Sequence, residues 1–210
     1  MIQKYTDFVL DLETLSLRPN AVIFDIAIVA FDFKGVAPKL AWTVKPAPVF
    51  AGGRAYHIDN KTLAFHDKLK TGQGLAFLHA CLTVPEEIEG CARDLDVAQG
   101  IKTFIRVHRV NQNARIWAQG KDFDFPILVN YYRTQFGTNP DGVTDIPWEY
   151  RQQRCARDFK DNALDTYGEP LRVKLEALKA TRLPPHNALN DCLNTIEVLR
   201  TCAGFMPDFK

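Results

Sequence analysis

Two acidic residues, Asp11 and Glu13, lie one residue apart at the end of a short apolar run, residues 8–10. Side chains at positions i and i+2 of a strand point to the same face, so a strand here would project both carboxylates side by side. Two like charges at that spacing repel each other, and burying them without a partner is costly. A divalent cation removes both problems, because Mg²⁺ and Mn²⁺ prefer oxygen ligands. The spacing therefore fits a metal site, and a pair of solvated carboxylates is the alternative.

Further residues with the same chemistry occur much later in the chain. Asp124 follows a predicted buried strand and Gly120, at the start of a predicted helix. An aspartate at that position is usually a helix cap, so Asp124 alone does not distinguish a cap from a metal ligand. His186 precedes the last predicted helix, and Asp191 lies about one turn inside it. This His-x4-Asp spacing is also weak evidence when it is taken alone.

The elements that must position these residues follow from hydrophobic periodicity and turn signals. We predict strands at residues 6–11, 21–33, 38–44 and 114–118, and a short edge strand within 150–158. Helices are predicted from residue 59 or 60 to 66, from about 85 to 110, at 123–136, at 171–178 and from 186 or 187 to about 199. The segment 75–82 is apolar but of undefined type. Three antiparallel strands followed by alternating strands and helices indicate an α/β chain with a mixed sheet.

Composition limits the class of protein. The chain has 210 residues, of which 46% are hydrophobic, and this is enough for one domain with a real core. The formal net charge of +1 excludes a global basic field, so any polyanion site must be local or must use metal ions. Five scattered cysteines indicate reduced thiols, not a disulfide framework or a zinc site. No segment approaches the roughly 18 apolar residues of a membrane helix, so we expect a soluble, cytoplasmic protein without membrane association.

The order of the acidic motifs resembles one known family. The motifs are Asp11-Leu12-Glu13-Thr14, then Phe123-Asp124, then His186-Asn187-Ala188-Leu189-Asn190-Asp191. Together they resemble the DEDDh family of 3′–5′ exonucleases, the DnaQ-like branch of the ribonuclease H-like fold, over residues 7 to about 200. Residues 123–128 and the adjacent pair Arg157 and Asp158 are most similar to the branch that contains phage exonuclease A and the mycobacterial-type exoribonucleases.

The resemblance implies a fold, a reaction and a set of roles. The expected fold has a central five-stranded mixed sheet with helices on both faces, in a single domain, residues 1–210. The expected reaction is removal of nucleotides from the 3′ end of single-stranded DNA or RNA, or of a 3′ overhang, with two divalent cations, Mg²⁺ or Mn²⁺. Asp11 would bridge both ions, Glu13 and Asp191 would hold the ion that carries the attacking water, and Asp124 would support the second ion. His186 would be the general base.

Substrate contacts are less well defined by the sequence. By resemblance, Leu15 would wedge beside the terminal base, although plain packing fits a leucine equally well. Phe65 could stack on a base or pack in the core. Arg157 could contact phosphate, together with Arg151 and Arg154, or these residues could be a solvated edge. We also assign Thr14 and Phe125, which adjoin the motifs, to the substrate-binding set.

Two other functions remain open at this point. One is a non-catalytic nucleic-acid-binding or scaffold domain of the same fold, which the presence of all four carboxylates and the histidine disfavours. The other is a ribonuclease H-type endonuclease, which that histidine disfavours. Homodimers are common among relatives of this family, so a homodimer is one expected state. The sequence does not decide between DNA and RNA.

Overall fold

One sheet organises the molecule, and its strands carry the first acidic motif. The computed structural model describes residues 2–34, 40–46, 57–69, 91–92, 94–140, 142 and 144–207. In this part of the chain the sheet has six strands in the order β4-β3-β2-β1-β5-β6. The strands are β1 (Asp7–Thr14), β2 (Ile23–Phe31), β3 (Leu40–Pro46), β4 (Cys91–Ala92), β5 (Arg115–Ala118) and β6 (Gln153–Cys155).

The pairing directions confirm the predicted mixed sheet. β1 pairs with β2, and β2 with β3, in antiparallel fashion. β5 pairs in parallel with both β1 and β6, and β4 pairs in parallel with β3. The prediction of five strands is wrong by one, because β4 adds a two-residue strand at the edge. Two residues are too short to leave a hydrophobic pattern in the sequence.

Helices cover both faces of the sheet, as predicted. They are α1 (Asn60–Leu69), α2 (Asp94–His108), α3 (Lys121–Phe136), α4 (Ala156–Lys179) and α5 (Ala188–Ala203), and a 3₁₀ turn spans Tyr150–Gln152. Among the described residues, none of these helices is long and apolar enough to span a membrane. The predicted helix start near residue 85 and the apolar segment 75–82 lie outside the described residues.

Alternation along β1 separates two cores. Phe8, Leu10 and Leu12 belong to the larger core, which packs against α2 and α3. Val9 belongs to a second core on the other face, where Cys192 and Ile196 of α5 pack. Asp7, Asp11 and Glu13 share the parity of Val9, so they project on the α5 side of the sheet. The first acidic motif therefore lies where β1 meets the start of α5.

The largest difference from the predicted elements is the length of α4. We predicted a helix only at residues 171–178, whereas α4 begins at Ala156. Its backbone leaves helical geometry at Gly168 (φ 55°, ψ −134°), a left-handed φ that glycine adopts without steric cost. α4 therefore consists of two halves that meet at a bend.

Candidate active site

Three carboxylates from β1 and α5 converge at the end of the sheet. Asp11, Glu13 and Asp191 each place one carboxylate oxygen within 4.8 Å of the others. Asp11 is half-buried and Glu13 is buried. Close carboxylates in a partly buried site repel one another unless a cation or a proton compensates their charge. This trio could hold a metal ion, and hard divalent cations suit such an all-oxygen ligand set.

Asp124, on α3, lies near Asp11. It lies in the first turn of that helix and is buried, with only 3% of its surface exposed. Burial raises the pKa of Asp124 to about 7, and backbone hydrogen bonds from Leu12, Asp124 itself and Gly120 lower it in part. Because an amide of β1 contacts this carboxylate, the start of α3 is fixed against the strand that carries Asp11.

The electrostatics of Asp11 show that the acidic residues form one cluster. Burial raises the pKa of Asp11 well above its usual range, and the next largest cause is the charge of Asp124. Glu13, Asp191 and Asp25 raise it further, in that order. The free carboxylates therefore disfavour one another's ionised forms, and a bound cation would reverse that effect.

Asp25 is a member of this cluster that the sequence reasoning missed. It lies opposite Glu13 across the β1–β2 pair and is 7% exposed. Its Oδ2 accepts a hydrogen bond of 3.3 Å from the backbone N–H of Ala188, the first residue of α5. A carboxylate at a helix N-terminus is stabilised by the free amides there, so Asp25 joins α5 to the sheet. The signal in the sequence was one charged residue inside the longest apolar run.

Cys192, which follows Asp191, seats α5 on the sheet. Its side chain is fully buried, and the thiol lies 3.6 Å from the carbonyl oxygen of Val9 and 3.5 Å from that of Ala27. Burial raises the pKa of this thiol well above its usual range. The neutral thiol fills the space beneath the acidic cluster and places Asp191 above β1.

His186 lies on the loop that precedes α5, in an unusual backbone conformation. Its φ of 62° is the one positive φ among the non-glycine residues that the structure describes. The His186 backbone N–H donates a hydrogen bond of 2.7 Å to Oδ2 of Asp191. Strained conformations of this kind persist where surrounding contacts hold them. The predicted base and one predicted metal ligand are thus coupled directly.

Two asparagines of α5 hold the same loop. The side chain of Asn194 accepts a hydrogen bond of 3.0 Å from the N–H of Leu183 and donates one of 3.1 Å to its carbonyl oxygen. The Nδ2 group of Asn190 donates a hydrogen bond of 2.9 Å to the carbonyl oxygen of Pro184. These contacts fix the loop to the helix that carries Asp191. The role of both asparagines was not predicted, because side-chain contacts to a loop leave no periodic pattern.

Phe65 of α1 lies against His186 at the mouth of the site. Their ring centroids are 5.0 Å apart at an interplanar angle of 86°, and 46% of Phe65 is exposed. The next residue, His66, is buried, and its Nε2 lies 3.1 Å from the carbonyl oxygen of Thr14, which docks α1 on the end of β1. Full burial in the core does not match this exposure, and stacking of Phe65 on a base stays a prediction.

Three other predicted substrate contacts are buried. Leu15 is 1% exposed and packs with Val22 and Phe24, and Phe125 is 2% exposed within the larger core. Thr14 is also buried, and its hydroxyl donates a hydrogen bond of 2.8 Å to the carbonyl oxygen of Ser16. Packing satisfies these side chains, so we do not carry their predicted substrate contacts forward.

Arg157 is the predicted phosphate contact that the structure places at the site. Its exposed guanidinium lies against Gly120, and its charge lowers the pKa of Asp124. Arg157, His186 and the trio Asp11, Glu13 and Asp191 line one cleft of about 690 Å³, a size usual for ligand sites.

Arg151 and Arg154, the other predicted phosphate contacts, do not line this cleft. Arg151 pairs with Glu149 at 2.8 Å, and Arg154 donates hydrogen bonds to the carbonyl oxygens of Arg151 and Gln153. Both guanidinium groups are therefore held by contacts within residues 149–154.

Comparisons with known proteins find exonucleases as relatives and as structural matches. A curated relative, an exodeoxyribonuclease of Enterobacteria phage T4, is 25% identical over 221 residues, covering 92% of this chain and 87% of that protein. Among solved structures, E. coli exonuclease I in complex with a 5cy-dT13 oligonucleotide matches with a TM-score of 0.65 at 14% identity, over 99% of this chain. Exonuclease I from Methylocaldum szegediense matches with a TM-score of 0.63 at 13% identity, over 97% of this chain.

These structural matches show the fold, which is the ribonuclease H-like fold that the motifs predicted. The chain spans less than half the length of the exonuclease I structures, 42% and 41% for the two described. The family model described as the 3′–5′ exoribonuclease Rv2179c-like domain matches residues 84–203, more than half of the chain. That match includes Asp124, His186 and Asp191, three of the five residues expected to carry the reaction. The chain therefore belongs to the family of 3′–5′ exoribonuclease Rv2179c-like domains.

Proposed function

We propose that residues 1–210 act as one domain that removes nucleotides from the 3′ end of single-stranded nucleic acid, with two divalent cations and His186 as general base. One observation carries this proposal. Asp11, Glu13 and Asp191 bring carboxylate oxygens within 4.8 Å of one another, and Asp124 interacts with the same Asp11. Family membership supplies the reaction class, and the geometry supports the roles.

The chemistry of the donor set suits a pair of cations. Asp11, Glu13 and Asp191 would hold one ion, and Asp11 with Asp124 would hold the other. Two bound cations would supply a hydroxide at neutral pH and would neutralise the charge on the leaving 3′ oxygen. The donor set consists of carboxylates, with no described cysteine or histidine among the ligands, and this composition favours Mg²⁺ or Mn²⁺ over zinc.

His186 would take the proton of the attacking water. An imidazole can accept a proton near neutral pH, and a positioned base contributes about 10²–10⁴ in rate. Its backbone N–H is held by Asp191, so the base and the ligand that would orient the water move as one unit. The edge-to-face contact with Phe65 leaves the imidazole half-buried at the mouth of the cleft.

Phe65 and Arg157 would hold the substrate on either side of the reacting phosphate. The exposed ring of Phe65 offers a face on which any base can stack. The guanidinium of Arg157 matches the geometry of a phosphate, which it can bind through two N–H groups. These contacts carry little sequence information, as expected for an enzyme that removes successive nucleotides.

The relatives point to different polymers. The phage relative is named an exodeoxyribonuclease, and the family model is described as an exoribonuclease. Recognition of RNA depends on contacts to the 2′-hydroxyl. We therefore propose activity on single-stranded 3′ ends in general and let experiment rank DNA against RNA.

The test uses 5′-labelled 12-nucleotide DNA and RNA of matched sequence, incubated with Mg²⁺ and with Mn²⁺. We expect a ladder that shortens from the 3′ end, and its loss in Asp191→Asn. Asp165→Asn, which alters an exposed aspartate of α4 outside the cleft lining, is the matched control and should retain the ladder. Internal cuts would indicate a ribonuclease H-type endonuclease. Binding without any cleavage would indicate a scaffold, and either result would reject the proposal.

The expected homodimer remains a prediction. Sedimentation of the purified chain at several concentrations measures it directly.

A further inference from the structure

We propose that one wall of the cleft binds the phosphate backbone of the scissile strand on the 5′ side of the cleaved bond. This inference rests on the proposed function and extends it away from the reacting phosphate. The wall is formed by both halves of α4 and the loop that follows. We define the basic wall as its five cationic side chains: Arg157, Lys160, Arg172, Lys179 and Arg182.

The bend in α4 explains how these side chains share one cleft. Arg157 and Lys160 lie about one turn apart on the first half of the helix, whereas Arg172 and Lys179 lie two turns apart on the second. A straight helix of this length would separate Arg157 from Lys179 by about 33 Å. The left-handed φ of Gly168 instead redirects the chain, so that both halves line the same cavity.

The basic wall carries a local excess of positive charge, whereas the chain as a whole is almost neutral. The whole chain carries 26 lysines and arginines against 25 acidic residues. Apart from the acidic cluster itself, the described lining of the cleft contains five cations and one carboxylate, Glu176. A wall lined mainly by one sign of charge attracts ligands of the opposite sign. The expected ligand is therefore a polyanion.

The cations are available to such a ligand. Lys160, Arg172 and Lys179 each pair with an acid on their own helix, at 3.0, 3.3 and 2.6 Å. Ion pairs between exposed groups contribute little to stability, so a phosphate can replace them at little cost. Within the described part of the chain, Arg157 and Arg182 have neither an ion pair nor a side-chain hydrogen bond.

The floor of the cleft favours a single strand over a free phosphate or a duplex. Leu164, Leu175 and Val198 line it beside the cations. Bases and sugars of an unpaired strand can cover such apolar surface while the backbone follows the charges, which is the usual combination in single-strand binding. The trio Asp11, Glu13 and Asp191 and the residue His186 line the same cleft, so a strand on the basic wall leads to the proposed reaction centre.

The first test measures binding in EDTA, so that cleavage does not interfere. Fluorescent dT12 and U12 are titrated with the wild type, with the double variant Arg172→Gln/Arg182→Gln, and with Lys174→Gln as control. Lys174 is an exposed lysine of α4 that does not line the cleft. Each phosphate contact contributes about 0.7 to the slope of log Kd against log salt, so the double variant should lose about 1.4 of that slope. The control should keep the wild-type slope.

The second test separates this inference from the proposed function. We expect the double variant to raise KM for the 12-mers about tenfold, in line with lost backbone contacts, and to leave KM and kcat for a dinucleotide unchanged. Arg182→Gln alone, in the loop, should lose about half the change in salt slope. If the wild type shortens the 12-mers from the 3′ end but the double variant matches it in slope and KM, the basic wall is rejected. If the wild type does not shorten them, the proposed function fails first.

Discussion

Strand β1 carries two carboxylate sites with opposite chemistry. At its beginning, Asp7 is fully buried, and hydrogen bonds satisfy both of its carboxylate oxygens. Arg115 donates to the two oxygens at 2.7 and 2.8 Å. The indole N–H of Trp117 and the hydroxyl of Thr6 each donate a further hydrogen bond of 2.7 Å. Four residues later, Asp11 is surrounded by Asp124, Glu13, Asp191 and Asp25. Asp7 has donors on every side, whereas Asp11 has other acids.

The difference separates a carboxylate that stabilises the fold from one that we propose takes part in the reaction. A buried carboxylate held by a guanidinium and an indole is already satisfied and cannot accept a metal. A carboxylate among other carboxylates is electrostatically unfavourable until a cation arrives. The start of β1 therefore stabilises the sheet, and its end holds electrostatic strain that ligand binding would relieve.

The largest effect should come from Asp11→Asn. We expect kcat for 12-mer degradation to fall at least about 10³-fold, the upper range for loss of one electrostatic group in an active site. In metal-free buffer, the free energy of unfolding should rise by about 1 kcal/mol, because one of several repelling charges is gone. Magnesium-dependent nucleotide release and urea denaturation measure the two effects. If Asp11→Asn lost stability as well as activity, Asp11 would stabilise the fold as Asp7 does, and the distinction between the two sites would be wrong.

Asp7→Asn should give the reverse result. Breaking a buried ion pair typically costs about 3–5 kcal/mol, and Arg115 is partly exposed, so we expect a loss near 3 kcal/mol. The kcat of the folded fraction should not change, because Asp7 lies outside the cleft lining. Urea denaturation and single-turnover kinetics are the measurements.

If Asp7→Asn does not fold, Trp117→Phe removes one donor to Asp7 and should cost about 1–3 kcal/mol. A large fall in kcat for the folded Trp117→Phe protein would show that the two ends of β1 are not independent.

Cation binding should distinguish the two sites directly. At about 100 times its dissociation constant, Mg²⁺ should stabilise the wild type by about 2.7 kcal/mol, because it binds the folded state. The same increment should appear in Trp117→Phe and should be absent in Asp191→Asn. Thermal denaturation with and without Mg²⁺ provides the measurement. An equal increment in Asp191→Asn would place the cation elsewhere.

The smallest effect concerns the loop that carries His186. Asn194→Ala removes both hydrogen bonds to Leu183 and should cost about 1 kcal/mol of stability. We expect kcat to fall about tenfold, because the base then samples other positions, with KM little changed. Asn162→Ala, at an exposed position of α4, is the control and should match the wild type. Unchanged kcat in Asn194→Ala would show that Asn190 and Asp191 position the base without it.

Much of the fold followed from local patterns. Strand alternation placed Asp11 and Glu13 on one face, and hydrophobic periodicity located the last helix, which carries Asp191. The first half of α4 was not predicted, because Gly168 and Pro170 separate it from the helix predicted at 171–178. Its own apolar stripe is short, and Phe159 and Tyr167 are only partly buried.

The site was predictable where residue type and spacing carry the chemistry. Asp25 was missed because its place depends on the pairing register Glu13–Asp25, which no local spacing encodes. Leu15 was assigned to the substrate although its backbone bonds to Val22 and Asp59 hold it in the core. Such contacts join distant parts of the chain, so they appear only once the chain is folded.

The alternation of β1 also limits how this protein can change over generations. Phe8, Leu10 and Leu12 face one core, and the acids between them face the other side. Adding or deleting a single residue between Asp7 and Asp11 would exchange the two sides beyond that point. The carboxylates would then point into the larger hydrophobic core, and leucines would point into the cleft. Substitutions in this strand are therefore tolerated far more readily than insertions or deletions.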